Sequence, residues 1–250
     1  MEQISTLAGF GFILFSVILL VGLFLLKDRV KASFRDIPAF SKLNKSLGTA
    51  VEDGSRIHFS LGAADITSSR TAASFASLGV LRQSAELSAS SDKSPLATSG
   101  NAPLSILSQD SLKTAHHIAG ADQQYNATSG RLTGITPFSY VAGTIPAIYD
   151  EDISVNVLAG GFGTEVGLLS DAAERADSFT LAGTDALPAQ AVLYASANET
   201  LIGEELYASG AYLNAGRTHL VSLYVQDILR WLIIGALIVG AGMKLLAGLL

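Results

Sequence analysis

A glycine-rich turn is the first place in this sequence where residue types and spacing could support chemistry. The stretch AGGFGTEVG, residues 159–167, follows an apolar, β-branched run and precedes a helical pattern. In dinucleotide-binding loops, glycines let the backbone approach a pyrophosphate, and the start of the next helix supplies a positive dipole. Here Gly161, Gly163 and Gly167 form G-x-G-x-x-x-G, which is one residue longer than the usual fingerprint.

Two features of this turn disfavour a dinucleotide. Glu165 falls in the first helical turn, where its carboxylate would stabilise the helix dipole and repel a phosphate. The acidic residue that binds the ribose is expected about 20 positions on, and only the later Asp185 is available there. We therefore expect the glycines mainly to permit a tight strand-to-helix turn with close packing. Ligand binding is the alternative, and a dinucleotide is the least expected ligand.

A second turn, SLGAADITSSRTAAS at residues 60–74, follows another predicted strand. Because ligands bind outside the carboxyl ends of parallel strands, the two turns could share one crevice. The only cation in this second turn is Arg70, which fits a solvent-facing or acid-paired arginine better than a ligand contact. The candidate ligand-binding residues are Gly62, Thr67, Ser68, Ser69, Gly161 and Gly163.

The remaining polar residues give little support for catalysis. His116 and His117 are adjacent, so on a helix they point about 100° apart and suit a single metal ion poorly. His58, in a predicted strand, fits a core residue better than a ligand. The sequence has no cysteine, no G-x-S-x-G, no H-E-x-x-H and no P-loop lysine. A group of carboxylates fits a solvated helix face better than an active site: Asp185, Glu199, Glu204 and Glu205. We predict no catalytic residue, metal site or cofactor, and an enzyme is the less favoured interpretation.

The elements that must position these turns alternate between β-rich runs and helical patterns. This alternation is typical of a parallel sheet covered by crossover helices, and it predicts a Rossmann-like α/β fold with helices on both faces. Pro146 is expected to kink or end its helix, and Gly216 to cap the helix before it. The predicted strands are residues 56–62, 96–100, 130–137, 153–160 and 177–184. The predicted helices are residues 71–89, 104–121, 138–151, 165–176 and 199–216, with 189–196 either strand or helix.

Two apolar runs flank this predicted domain. Residues 7–26 are uncharged, and at about 1.5 Å per residue they match a hydrocarbon core of about 30 Å. Residues 231–250 form a second run, broken only by Lys244, which can snorkel to the head groups. Gly235, Ala236 and Gly240 in this run are small enough for close helix packing in lipid. We predict an N-terminal and a C-terminal transmembrane helix, the second continuing a helix that starts near residue 219.

Charge predicts how the chain is placed in the membrane. Residues 27–45 have a net charge of +4, whereas residues 46–227 hold eight Lys and Arg against nineteen Asp and Glu, a net charge of −11. The acidic part is a poor nucleic-acid binder, and the basic part suits anionic head groups. Basic residues at the inner ends of both apolar runs predict a two-pass inner (plasma) membrane protein whose termini face outside. The predicted divisions are a transmembrane helix at 1–26, a basic juxtamembrane segment at 27–50, a cytoplasmic α/β domain at 51–218, and a helix at 219–250 that enters the membrane.

Four stretches resemble a family of bacterial two-span membrane proteins defined as a domain of unknown function. They are RIHFSLGAADITSSRTAASFASLGVL, VLAGGFGTEVGLL, LIGEELYASGAYL and HLVSLYVQDILRW. The resemblance covers most of residues 50–235 and implies a cytoplasmic Rossmann-like domain between two anchors, without implying any catalytic residue. It also suggests that Gly203, Glu204, Glu205 and Tyr207 form a shared feature.

These observations predict a membrane-anchored, non-enzymatic protein that self-associates or scaffolds a membrane complex. Its expected partners are the lipid bilayer and either further copies of the chain or other membrane-complex subunits. The alternative is a membrane-tethered sensor that binds a small anionic or nucleotide-like ligand at the Gly62 and Gly161 turns.

Overall fold

A computed structural model describes residues 2–26, 34–67, 71–89, 91–213 and 216–247. They divide into two compact units. The helical unit is Met1–Arg35 with Gly216–Leu250, and the α/β unit is Asp36–Ala215. Each unit is described by itself.

The described strands of the α/β unit form one parallel sheet. In chain order they are β1 Arg56–Gly62, β2 Leu96–Ser99, β3 Gly130–Leu132, β4 Ile153–Gly161, β5 Phe179–Gly183 and β6 Glu199–Leu201. Their spatial order is β3-β2-β1-β4-β5-β6. This is the strand order of the Rossmann fold, which reverses direction between β1 and β4. The α/β, Rossmann-like parallel sheet predicted from the sequence is therefore confirmed.

Helices cover both faces of this sheet. The described helices are α1 Glu2–Leu25, α2 Pro38–Glu52, α3 Thr71–Ser88, α4 Ala102–Ile118, α5 Pro137–Asp150, α6 Val166–Arg175, α7 Leu187–Ser196, α8 Glu205–Tyr212 and α9 Arg217–Ala247. One core contains Phe59 and Val157 together with apolar residues of α2, α3, α4 and α8. The other contains Leu158 with α5, α6 and α7. Both β1 and β4 are buried along nearly their whole length. Apart from Asn156, β4 is continuously apolar or small, as expected for a central strand, whereas β1 also carries the buried His58.

Helix α2 overlaps the range predicted as a basic juxtamembrane segment, residues 27–50, and contributes to the first core. Pro38 occupies the first turn of α2, where backbone N–H groups have no acceptor within the helix, so the N–H that proline lacks is not needed. Phe40, Leu43 and Leu47 recur at helical spacing and are buried. The ring of Phe40 stacks on Tyr212 at the end of α8, with centroids 4.9 Å apart. The first and last helices of the α/β unit therefore meet.

The segment expected to be helical from residue 199 begins instead as an edge strand. Residues 199–201 form β6, and Gly183 of β5 pairs with Leu201. The side chain of Asn198 accepts a hydrogen bond from the backbone N–H of Thr180 at 2.7 Å. This bond supports the short strand, which the helical pattern of the following residues concealed.

Three further expectations concern helix boundaries and type. Gly216, with a φ of +104°, does not cap α8, because α8 ends at Tyr212 and Gly216 directly precedes α9. Pro146 lies inside α5 without ending it. Residues 187–196 are helical, which resolves the ambiguity between strand and helix.

The helical unit consists of α1 and α9, which contact each other. In α9, residues Thr218–Leu245 have a mean hydropathy of 1.8, and they are long and apolar enough to cross a membrane. The described apolar part of α1, Gly9–Leu25, is shorter than a helix needs to be to cross a membrane by the same measure of length and composition. One membrane-compatible helix is therefore found among the described residues. Among the side chains that the structure describes, none lies within 4 Å of a Cβ built at Gly235 or Gly240.

Candidate functional site

Gly62 and Gly161 lie side by side where the strand order reverses. They are paired residues at the carboxyl ends of β1 and β4. The N–H of Ala63 donates to Gly161 O at 3.2 Å, and the N–H of Gly100 donates to Gly62 O at 2.9 Å. The structure thus brings the two predicted turns together, and the loop after β2 is hydrogen-bonded to them.

The contact between the two turns is made by backbone on backbone. Gly62 has a φ of +81°, a conformation that other residues rarely adopt. A Cβ at this position would lie 2.6 Å from the carbonyl oxygen of Gly161. Glycine is therefore needed at Gly62 for two independent reasons, one conformational and one steric.

The glycine turn after β4 is occupied by a carboxylate from its own chain. Glu165 Oε1 accepts a hydrogen bond from the N–H of Gly163 at 2.8 Å. A Cβ built at Gly163 would overlap Glu165 Oε2. In a phosphate-binding loop, the N–H of such a glycine, and the space left free by its missing side chain, would face the ligand. Glu165 therefore occupies the N–H of Gly163, which would otherwise be open to an anion.

The turn after β1 has a similar arrangement. The N–H of Thr67 donates to Asp65 Oδ1 at 3.0 Å, and this bond holds the pKa of the exposed Asp65 carboxyl below its usual value. Ser68 and Ser69 lie outside the described residues. In each turn, a backbone N–H is thus bound by an acidic side chain of the same turn. An additional anion would be repelled at either turn.

The remaining glycine of the motif serves helix packing. A Cβ at Gly167 would lie 2.6 Å from Val192 Cγ1, so α6 and α7 approach closely at this point. Between the glycines, Phe162 is fully buried, and its N–H donates to Thr184 Oγ1 at 3.2 Å. The motif therefore forms the turn from β4 into α6, and at Gly167 it permits close packing of α6 on α7.

A buried polar network, which sequence patterns did not indicate, lies within the sheet beneath these turns. His58 Nδ1 lies 2.6 Å from Asn156 Oδ1, and His58 Nε2 lies 2.8 Å from Thr98 Oγ1. Asn156 Nδ2 in turn donates to Ser178 Oγ at 2.8 Å, which donates to Ala173 O. Since the Asn156 oxygen can only accept, His58 carries its proton on Nδ1 and accepts from Thr98 at Nε2.

The environment of His58 keeps its imidazole neutral. The side chain is completely buried, and this burial lowers its pKa from 6.5 to about 4, with the Arg131 charge adding to the effect and the Asn156 hydrogen bond opposing it. Thr98 continues the network to the buried hydroxyl of Tyr140 at 3.3 Å, and that hydroxyl also bonds to Ser60. Burial raises the pKa of Tyr140, so its phenol is neutral as well.

The surface around the turns is apolar and acidic. In the described parts of the loops that follow the six strands, every charged side chain is acidic. Ile135, Phe138 and Leu187 are 78%, 72% and 77% exposed. We name the exposed apolar residues at this edge the carboxyl-edge rim: Phe75, Ile106, Leu132, Ile135, Phe138, Leu187 and Ile202.

The acidic group suggested by the sequence is split between opposite ends of the sheet. Glu199 begins β6 and forms an ion pair with Lys42. At the other end of this strand, Glu205 Oε2 accepts from the N–H of Ile202 at 3.0 Å, so it closes the turn into α8. Burial raises the pKa of the neighbouring Tyr207, and the charge of Asp185 adds to this effect. The Gly203–Tyr207 stretch is thus the start of a helix.

The adjacent histidines also separate. His116 is buried, with Nδ1 2.8 Å from Leu112 O, whereas His117 is exposed beside Asp122. Within the described ranges, no three His, Cys, Asp or Glu side chains are grouped closely enough to hold a metal ion.

A family model described as "Domain of unknown function (DUF6754)" matches residues 2–249. No curated protein and no solved structure matches the chain. The sequence resemblance to a domain-of-unknown-function family is thus confirmed, and the chain belongs to the DUF6754 family.

Proposed function

We propose that this chain is a membrane-anchored, non-enzymatic protein that self-associates or scaffolds a membrane complex through its α/β unit. The observation that carries the proposal is the closed state of the site where a Rossmann fold normally binds its ligand. Gly62 contacts Gly161 through backbone atoms, and Glu165 occupies the glycine turn. An anion bound at the N–H of Gly163 would have to displace this carboxylate.

The carboxyl-edge rim supports contact with another protein. Large apolar side chains that stay exposed in groups are typical of protein interaction surfaces. The rim adds exposed aliphatic and aromatic groups to an edge on which the described loop charges are acidic. An interface that buries the rim would place apolar groups at its centre and carboxylates around them.

A pair of substitutions tests the role of the rim. Ile135→Ser with Phe138→Ser removes two of its most exposed side chains. Burying one such side chain stabilises an interface by about 1.5–3 kcal/mol, so we expect the assembled fraction in detergent to fall at least about tenfold. Leu87→Ser with Tyr194→Ser removes two exposed residues outside the rim and is the matched control. An unchanged assembled fraction in the rim variant would refute a rim-mediated interface.

We further propose that α1 and α9 both span the membrane, with the α/β unit in the cytoplasm and both termini outside. The proposal follows from the two apolar runs and from the basic residues at their inner ends. Because the chain has no cysteine, Gln3→Cys and Gln123→Cys provide single reporters. We expect a membrane-impermeant maleimide to label intact cells at residue 3 but not at residue 123. Labelling of intact cells at residue 123 would contradict the proposed topology.

The second candidate function is a membrane-tethered sensor of a small anionic or nucleotide-like molecule. It is favoured by one observation, the position of Gly62 and Gly161 at the switch point of a Rossmann strand order. A thermal-shift screen with nucleotides and dinucleotides separates the two functions. A ligand at 100 times its dissociation constant stabilises the folded state by about 2.7 kcal/mol, whereas the assembly function predicts no shift.

A further inference from the structure

The carboxyl-edge rim lies in an acidic part of the α/β unit. The loops after the six strands, together with the first turn of each following helix, hold five Asp and Glu against Arg70 alone, a net charge of −4. These stretches are residues 63–74, 100–105, 133–140, 162–169, 184–190 and 202–208. Among their acidic side chains, Asp65 and Glu204 are exposed. Any surface that covers the rim must therefore come close to net negative charge.

This charge disfavours contact between two rims. In a symmetric dimer that uses the same patch on both copies, the two acidic surroundings would face each other, and like charges opposed across an interface weaken it. The helix N-termini at this edge carry partial positive charge, but that effect falls off within about one turn. Anionic lipid head groups would be repelled as well. The rim therefore fits a basic surface of another protein.

The chain itself contains such a basic stretch. Residues 27–45 have a net charge of +4, whereas residues 46–227 have a net charge of −11. The second half of the basic stretch forms the start of α2, whose apolar face is buried and whose Lys42 pairs with Glu199. The part before α2 includes KDRVK, residues 27–31, in which three basic residues surround one valine. Residues 27–31 lie outside the described residues, and their net charge of +2 follows from the sequence.

We propose that copies of the chain assemble head to tail, with the carboxyl-edge rim of one copy covered by residues 27–31 of a second copy. The proposal rests on the self-association proposed above and names the two surfaces that meet. Charge complementarity favours this occupant, because a segment of net charge +2 meets surroundings of net charge −4. A contact between two different surfaces leaves one of each free at the ends, so it closes into a ring or continues as an array.

Two variants remove one surface each. The rim variant is Ile135→Ser with Phe138→Ser, and the segment variant carries Lys27→Gln, Arg29→Gln and Lys31→Gln. The matched control for the segment variant removes three basic residues of the α/β unit that lie outside the acidic stretches: Arg82→Gln, Lys93→Gln and Lys113→Gln. We expect the segment variant to lower the assembled fraction about tenfold, or about 1.4 kcal/mol, the sum expected for three exposed ion pairs. The control should assemble as the original chain does.

Mixing the two variants is the sharpest test of a head-to-tail contact. The rim variant keeps its basic segment and the segment variant keeps its rim, so one contact can form between them. Native mass spectrometry of the full-length variants in a mild nonionic detergent, with one variant labelled with ¹⁵N, should show particles that contain one copy of each. Such particles also show that both variants fold. A contact between two rims would instead leave the segment variant assembled and give no mixed particles.

Salt provides an independent measurement. Raising the ionic strength from about 0.1 M to 1 M shortens the screening length from about 10 Å to about 3 Å. The assembled fraction of the original chain should fall, because attraction between opposite charges is screened. A contact between two rims predicts a rise, because their repulsion is screened.

The outcomes separate this proposal from the one on which it rests. Loss of assembly in each variant alone, with mixed particles on combination, supports head-to-tail contact. Full assembly of the segment variant, which is expected if residues 27–31 serve only lipid head groups, overturns head-to-tail contact and leaves self-association standing. The absence of mixed particles, or an assembled fraction that rises with salt, does the same. An original chain with the mass of one copy in every condition overturns both.

Discussion

The neutral state of buried His58 predicts that acid destabilises the α/β unit well before its carboxylates are protonated. In the unfolded chain this histidine has its ordinary pKa of 6.5, whereas burial lowers the pKa to about 4 in the folded protein. The unfolded state therefore binds the proton more readily at every pH between these values. Stability from this residue is complete above pH 6.5 and is lost as the pH falls towards 4.

The size of this loss follows from the two pKa values. A pKa of 6.5 in the unfolded chain and of about 4 in the folded protein lowers the free energy of unfolding by about 3 kcal/mol once the pH lies below both pKa values. By pH 5, about 2 kcal/mol of this is already lost. Such a change is a large fraction of the stability of a typical domain, which is roughly 5–15 kcal/mol.

Hydrogen exchange of the full-length protein in a nonionic detergent measures this effect where it arises. Backbone amides of β1 and β4 report the free energy of opening the sheet, and their rates are corrected for the intrinsic pH dependence of exchange. His58→Gln keeps one donor and one acceptor but does not titrate, so its opening free energy should be nearly constant between pH 6.5 and 4.5. His117→Gln removes an exposed histidine and should retain the pH dependence of the original chain.

Two results would refute the reasoning about His58. One is an opening free energy of β1 and β4 that does not change between pH 7 and pH 4.5 in the original chain. The other is a pH dependence that survives in His58→Gln, since the proton would then bind elsewhere.

Four further substitutions test the packing of the chain. Gly62→Ala should destabilise the α/β unit by at least about 2 kcal/mol, because the new Cβ would overlap a backbone carbonyl and residue 62 has a positive φ. Gly163→Ala should destabilise it by less than about 1 kcal/mol, because the new Cβ would meet only the flexible end of the Glu165 side chain. Thermal unfolding distinguishes the two, and equal losses would contradict this account. Tyr140→Phe removes a hydroxyl that bonds buried side chains, and it should lower the opening free energy measured by hydrogen exchange by about 1–3 kcal/mol. An unchanged opening free energy would show that these hydrogen bonds do not stabilise the fold. Gly240→Leu should weaken helix association in lipid at least about threefold by cross-linking if this glycine packs on a neighbour, and unchanged cross-linking would show that it does not.

The parts of the fold that sequence patterns predicted are those with strong local signatures. Residues 56–62 were predicted as a strand and form β1 with the same bounds, because Ile57, Phe59 and Leu61 recur at strand spacing and Gly62 marks the end. The β4 strand and the glycine turn after it were recognised for the same reason. Glu165 was expected to disfavour phosphate through the helix dipole, and the structure adds its direct bond to Gly163.

The parts that were missed depend on distant partners. The β6 strand has only three residues and is held by Asn198 and by pairing with β5, so a helical pattern over the following residues masked it. The partners of His58 are 40 and 98 residues away in the chain, a distance that no local pattern covers. Helix α2 was counted only as part of a basic segment, although the spacing of Phe40, Leu43 and Leu47 is that of an amphipathic helix.

The mass of the intact protein tests the central claim most directly. Native mass spectrometry of the full-length chain, released from a mild nonionic detergent over a range of concentrations, counts the copies of this 26.0 kDa chain in each particle. The proposed assembly function predicts particles that contain two or more copies. A mass that equals one chain at every concentration would contradict self-association.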